Sequence, residues 1–128
     1  MPQRSAPRPM PRIDQRAVLI GGAIAIGSTV AGIAVASATG LPAVATFAPL
    51  PGIGLGAFVA GRLAGQGGLL QGGLVAALWI AADAVASLFG APPQGELATD
   101  TVLILLRDLI HLSVGSAAGA LGTRDLRR

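Results

Sequence analysis

The chain has 128 residues, room for one domain, and 52% of them are apolar, a further 19 are glycine and only 12% are charged. A domain this small has a large surface to cover with polar groups. With a mean hydropathy of +0.70 it lacks them, which excludes a soluble globule, a disordered chain and a disulfide scaffold. What remains is a polytopic membrane protein, and the net charge of +3, carried by arginine without lysine, fits membrane orientation better than nucleic-acid binding.

Residues 1–16 hold four prolines and four arginines with one aspartate and show no periodicity. They read as a disordered basic cytoplasmic arm. Residues 17–122 read as the transmembrane domain. Its first apolar run, 17–39, carries no charge and exceeds the ~30 Å hydrocarbon core at about 1.5 Å per residue. The run ends in Ala36-Ser37-Ala38, which resembles a signal-peptidase site. Its length and the small residues Gly27, Ser28 and Gly32 argue instead for a retained span.

The turn Thr39-Gly40-Leu41-Pro42 leads into a second run, 41–61, which is interrupted by Pro49 and Pro51. These two prolines predict a helix break, either a kink that suits neighbouring helices or a half-helix start pointing free N–H groups into the bundle. Arg62 to Gly67 reads as a loop. The third run, 68–90, contains one charge, Asp83. The stretch Gly90-Ala-Pro-Pro-Gln-Gly95 ends it, and Thr99-Asp100 suits an N-cap for the fourth run, 101–122. That run contains Arg107, Asp108 and His111, and residues 123–128 form a short basic tail. The expected fold is all-α, an antiparallel four-helix transmembrane bundle; no segment alternates as a barrel strand would.

Small residues recur four apart in the spans: Gly52-xxx-Gly56, Gly68-xxx-Gly72, Gly73-xxx-Ala77 and Gly115-xxx-Gly119. In lipid no hydrophobic effect holds helices together, so these residues are expected to bring backbones into contact. The order Gly52-Ile-Gly-Leu-Gly56 follows no strand and has no Lys-Ser/Thr, so it is not a phosphate loop. Trp79, the one tryptophan, lies mid-span and reads as a packing residue.

Asp83, Arg107, Asp108 and His111 are the ionisable residues within the spans. A charge at mid-bilayer costs about 2.5–3.5 kcal/mol even on lenient scales, so each needs a partner or water. Asp83 and Arg107 sit at one depth on consecutive antiparallel helices and are expected to pair. Asp108 points about 100° away from Arg107 on its helix and needs another partner, for which His111, three residues on, is a candidate. The cluster reads either as structural neutralisation or as a proton or ion relay.

With no cysteine, one histidine and no tyrosine, few acid–base sets exist, so neither enzymatic activity, nor a metal site, nor a cofactor is expected. The expected partners are the lipid bilayer and, within it, a second copy or a larger membrane complex, but not nucleic acid. Arg124, Arg127 and Arg128 read as an interfacial anchor.

The stretch GIGLGAFVAGRLAGQGGLLQGGLVAALW, Gly52 to Trp79, resembles the YrzE-like small four-span bacterial membrane proteins in its Gly-rich second span, AGR ending and G-x-x-x-G start of the third. The resemblance implies a bacterial inner-membrane protein of no established activity, structural or accessory in role, and transfers no site residue. A small transporter or channel using the Asp/Arg/His cluster is the alternative.

The arm, the segment at Arg62 and the tail are positive, whereas 91–100 holds Glu96 and Asp100. Counting these charges places the three positive segments in the cytoplasm. Reporter fusions after Gly65 and Arg128 are expected to read cytoplasmic and a fusion at Gly95 external; a cytoplasmic signal at Gly95 overturns this topology.

Overall fold

A computed structural model describes residues 12–90 and 101–125. The arm before Arg12, the Ala91–Asp100 loop with its Thr99-Asp100 cap, and Arg127 and Arg128 lie outside the described residues. The helices are α1 (Gln15–Thr39), α2 (Pro42–Phe47), α3 (Pro49–Ala64), α4 (Gly68–Leu88) and α5 (Thr101–Asp125). Four segments are long and apolar enough to cross a membrane, α2 and α3 counting as one. The chain is a multi-pass membrane protein folded as an all-α four-helix bundle.

Local chemistry sets the helix ends. α1 starts two residues before the apolar run because Asp14 caps it, its carboxylate accepting from Ala17 N–H at 3.1 Å. Arg62 belongs to the last turn of α3 rather than to a loop. The helix runs on to Ala64 because Gly65 and Gly67, at φ 69° and 65°, supply the left-handed conformations of the turn. Gly65 N–H donates to the Gly61 carbonyl at 3.2 Å, which closes α3.

Pro49 and Pro51 produce a kink and not an unwound half-helix. Ala48, between α2 and α3, stays in the right-handed helical region at φ −53°, ψ −36°, and its N–H donates to Val44 O at 2.9 Å. Both prolines fall in the first turn of α3, where a helix has N–H groups without intrahelical partners anyway. The break therefore sits at Ala48, and the chain crosses the bilayer as one bent span.

α3 and α4 form the middle of the bundle: each touches α1 and α5 and they touch each other, whereas α1 and α5 do not meet. The core is small and alanine-rich: Ala25, Ile53, Ala57, Ala60, Val75, Ala76 and Trp79. Burial is uneven along the bundle. In α4 beyond Trp79 and in α5 before His111 no residue is buried, and α2 has none either. The glycine-packed part of α4 and α5 lies toward the Gly65 turn; toward Leu88 these two helices bury no residue.

Glycines set the close approaches. A methyl built on Gly72 would strike the Gly115 carbonyl, and one on Gly119 would strike the carbonyl of Gly68. On Gly61 it would strike the Gly119 carbonyl, and on Gly122 that of Phe58, so α5 lies backbone-to-backbone on both α4 and α3. Gly56 stands in the same relation to Gly21 on α1, and a methyl on Gly52 would lie 3.0 Å from the Ala25 carbonyl oxygen. Gly73 meets only the Ser116 hydroxyl, at 3.1 Å. Sequence spacing does not single out Gly21, Gly61 or Gly122. Gly27 faces open space, with no atom within 4 Å of a built methyl.

These two environments predict opposite outcomes for one substitution. Gly72→Ala is expected to destabilise the purified protein by about 1–3 kcal/mol, because backbone must move to admit the methyl. Gly27→Ala is expected to leave stability unchanged or raise it slightly, by helix propensity. Thermal unfolding in detergent checks both, and equal melting of the two variants contradicts the glycine contacts.

Candidate functional site

The α4–α5 contact fixes the register of the polar groups. Gly72 faces Gly115 and Gly68 faces Gly119. Extending that antiparallel pairing places Ala76 beside His111 and Asp83 about one turn nearer the Leu88 end than Arg107. The arginine side chain spans this offset. Its Nη2 donates to Asp83 Oδ2 at 2.8 Å. Nη2 and Nε of the same guanidinium also approach Asp108 Oδ1, each at 3.4 Å. Asp83 lies about 7.5 Å and Arg107 about 9 Å from the ends of their helices, at 1.5 Å per residue.

One guanidinium thus serves two carboxylates. The short contact goes to Asp83; the contact to Asp108, its chain neighbour, is longer. Asp108 does not turn to His111 as its spacing suggested. A guanidinium offers full charge and several donors, which a neutral imidazole lacks, so it wins the carboxylate. The side chains of Arg107, Asp83 and Asp108 are 31%, 16% and 23% exposed, so the cluster borders the bundle surface.

His111 lies deeper and is buried. Its ring packs on Trp79 with centroids 4.8 Å apart and planes tilted by 55°. Its Nδ1 is buried and has no hydrogen-bond partner among the described residues. On the other side Trp79 donates its indole N–H to Thr29 Oγ1 at 3.0 Å, and Thr29 donates to the Ala25 carbonyl at 2.9 Å. His111, Trp79 and Thr29 all lie about 13–15 Å inside their helices, so this row crosses α5, α4 and α1 near mid-membrane.

Gln71 is fully buried near the Gly65 end, and its side-chain N–H donates to the Arg12 carbonyl at 3.1 Å. It holds Arg12, three residues before α1, against the start of α4. Its Oε1 has no partner among the described residues. Sequence reasoning weighed only ionisable groups and passed over Thr29 and Gln71. The signal for them is a hydrogen-bonding side chain inside an apolar run, where lipid leaves it no partner outside the protein.

Hydrolytic chemistry has no assembled set among the described residues. Ser37, Ser87, Ser113 and Thr39 donate to carbonyls of their own helices, and no hydroxyl is bonded to His111. No three metal-ligating side chains gather among the described residues. An open groove at the α1–α2 turn, lined by Ile33, Ala36, Ser37, Gly40, Pro42 and Ala45, carries no ionisable group. No protein-family model, curated protein or solved structure matches this chain.

The ion pair predicts a mutational pattern. Asp83→Ala and Arg107→Ala are each expected to cost about 2–4 kcal/mol, because each strands a charge in low dielectric. Exchanging the two, Asp83→Arg with Arg107→Asp, restores only part of this, since it sets two aspartates side by side at 107 and 108. Unfolding in detergent measures all three; an Asp83→Asn variant of unchanged stability removes the pairing from the account.

Proposed function

We propose that this chain is a structural or accessory component of a bacterial inner membrane, without enzymatic activity, and with both termini cytoplasmic. The observation that carries the reading is the closed interior. Backbone contacts at Gly72–Gly115, Gly61–Gly119 and Gly21–Gly56 leave no room for a lumen between the helices toward the Gly65 turn. A channel needs an open path between its helices, with polar or charged groups where it selects the ion. Here the charged cluster is confined near the Leu88 end, and Arg107 already engages both carboxylates. The positive flanking segments support the orientation. The resemblance of Gly52–Trp79 to the YrzE-like proteins supports the bacterial setting. The neighbours this reading expects are lipid and, in the membrane plane, a second copy or a larger complex.

The alternative, a small transporter or channel, draws on one observation. Asp83, Arg107 and Asp108 together carry a net negative charge at a depth where a charge needs a use. Flux measurements separate the readings. Proteoliposomes loaded with proton-, potassium- or chloride-sensitive dyes are expected to leak no faster than protein-free vesicles. A flux that Asp83→Asn abolishes replaces the structural reading with the transporter.

A further inference from the structure

We propose that Asp108 and His111 form a single-proton site. A proton taken up on His111 Nδ1 draws the Asp108 carboxylate away from Arg107, and Trp79 reports the change. The site stands whether or not the chain moves any solute.

Three features of the structure carry this. The first is charge. Arg107 is one cation between two carboxylates, at 2.8 Å from Asp83 and 3.4 Å from Asp108. The group therefore holds one negative charge in excess, and in a bilayer neutrality is strongly favoured. The second is an unmet valence. His111 is 3% exposed, and its buried Nδ1 has no partner among the described residues. A buried polar atom left so is costly, whichever tautomer the ring adopts. The third is placement. Asp108 is three residues before His111 on one helix, a spacing at which side chains meet with Cβ atoms about 5–6 Å apart.

One proton answers both defects. Bound at Nδ1, it turns that atom into a cationic donor, and Asp108 is the acceptor within one turn. The bond lost is the long Asp108–Arg107 contact; the short Arg107–Asp83 bond stays. The proton comes from water and no other species is consumed. The cluster passes from one net negative charge to none. The imidazolium also lies beside the Trp79 ring, with centroids 4.8 Å apart, within the range at which a ring and a cation interact.

The charges that face His111 are Asp83, Arg107 and Asp108, and the remaining described charges lie far from it. From α4 the ionisable group is Asp83. α3 carries only Arg62, whose backbone adjoins Gly122, about 16 Å further along α5. On α5 itself the others are Arg107 and Asp108 beside the site and Arg124 at the far end. α1 does not touch α5.

The sequence supplies its own probe, because Trp79 is the one tryptophan and His111 the one histidine. An imidazolium in ring contact quenches indole emission more than a neutral imidazole does. The full chain in nanodiscs of zwitterionic lipid is titrated by tryptophan emission between about pH 5 and pH 9. The expected result is one transition of one-proton steepness, dimmer on the acid side, which His111→Gln abolishes. Asp108→Asn is expected to move it to lower pH by about one unit, a tenfold loss of proton affinity, and Asp108→Glu to bring it back. An emission flat across the range overturns the proposal, as does a transition that survives in His111→Gln or stays in place in Asp108→Asn. Should Asp108→Asn fail to fold, nitrogen NMR of the histidine ring in the unaltered protein replaces it. A His111 that keeps one neutral tautomer throughout is then the overturning result.

Discussion

A helix in lipid gains nothing by trading acyl chains for the apolar face of another helix, so association rests on how closely the backbones approach. In this protein that approach is the constraint on which the remainder depends. Glycine removes the side chain where α4 and α5 meet at Gly68, Gly72, Gly115 and Gly119, where α5 meets α3 at Gly61 and Gly122, and where α1 meets α3 at Gly21 and Gly56. A core of alanines, with Ile53, Val75 and Trp79 as its larger members, follows from helix axes too close for bulkier side chains.

Close approach also fixes register, and register determines which polar groups can meet. With Gly72 against Gly115, the α4–α5 pair has no freedom to slide. Asp83 and Arg107 are therefore offset by about one turn, a distance an arginine spans and a lysine with a single point charge would serve less well. The same register sets His111 against Trp79, whose indole N–H then reaches Thr29 on α1. α1 and α5 never touch, yet this row links them through α4. The polar groups thus take positions that packing dictates, and those positions decide which are satisfied and which are not.

The spans were legible because length and hydropathy are bulk properties that the bilayer selects directly. The Asp83–Arg107 pair was legible because two opposite charges on consecutive antiparallel spans lie within about one turn of a common depth, although the register offsets them rather than setting them level. Asp108 was not, since spacing favours His111 without weighing the stronger donor next to it in the chain. The kink at Ala48 was visible as two prolines, but its mildness depends on both falling in the first turn of α3. Small-residue spacing marks glycines without saying which face they occupy: it includes Gly27, which faces outward, and omits Gly61 and Gly122, which lie at the contact between α3 and α5. Thr29 and Gln71 carry no charge and drew no attention, although lipid leaves their hydrogen-bonding groups no partner outside the bundle.

The uneven burial gives the ion pair its particular weight. Near the Gly65 turn, glycine contacts and the Gln71–Arg12 bond hold all four spans together. Near Leu88 the described residues of α4 after Trp79 and of α5 before His111 bury none of their number, and Asp83–Arg107 is a side-chain tie between these two arms. Segments with few buried contacts open at lower free energy than the body they extend from. A change in the charges around Arg107 therefore acts directly on the contact between α4 and α5 at this end. The neighbouring Asp108 contact, longer and shared with the same guanidinium, is the part of the tie that yields most readily. The bundle thus joins a half set by backbone contact to a half in which one arginine divides its donors between two aspartates.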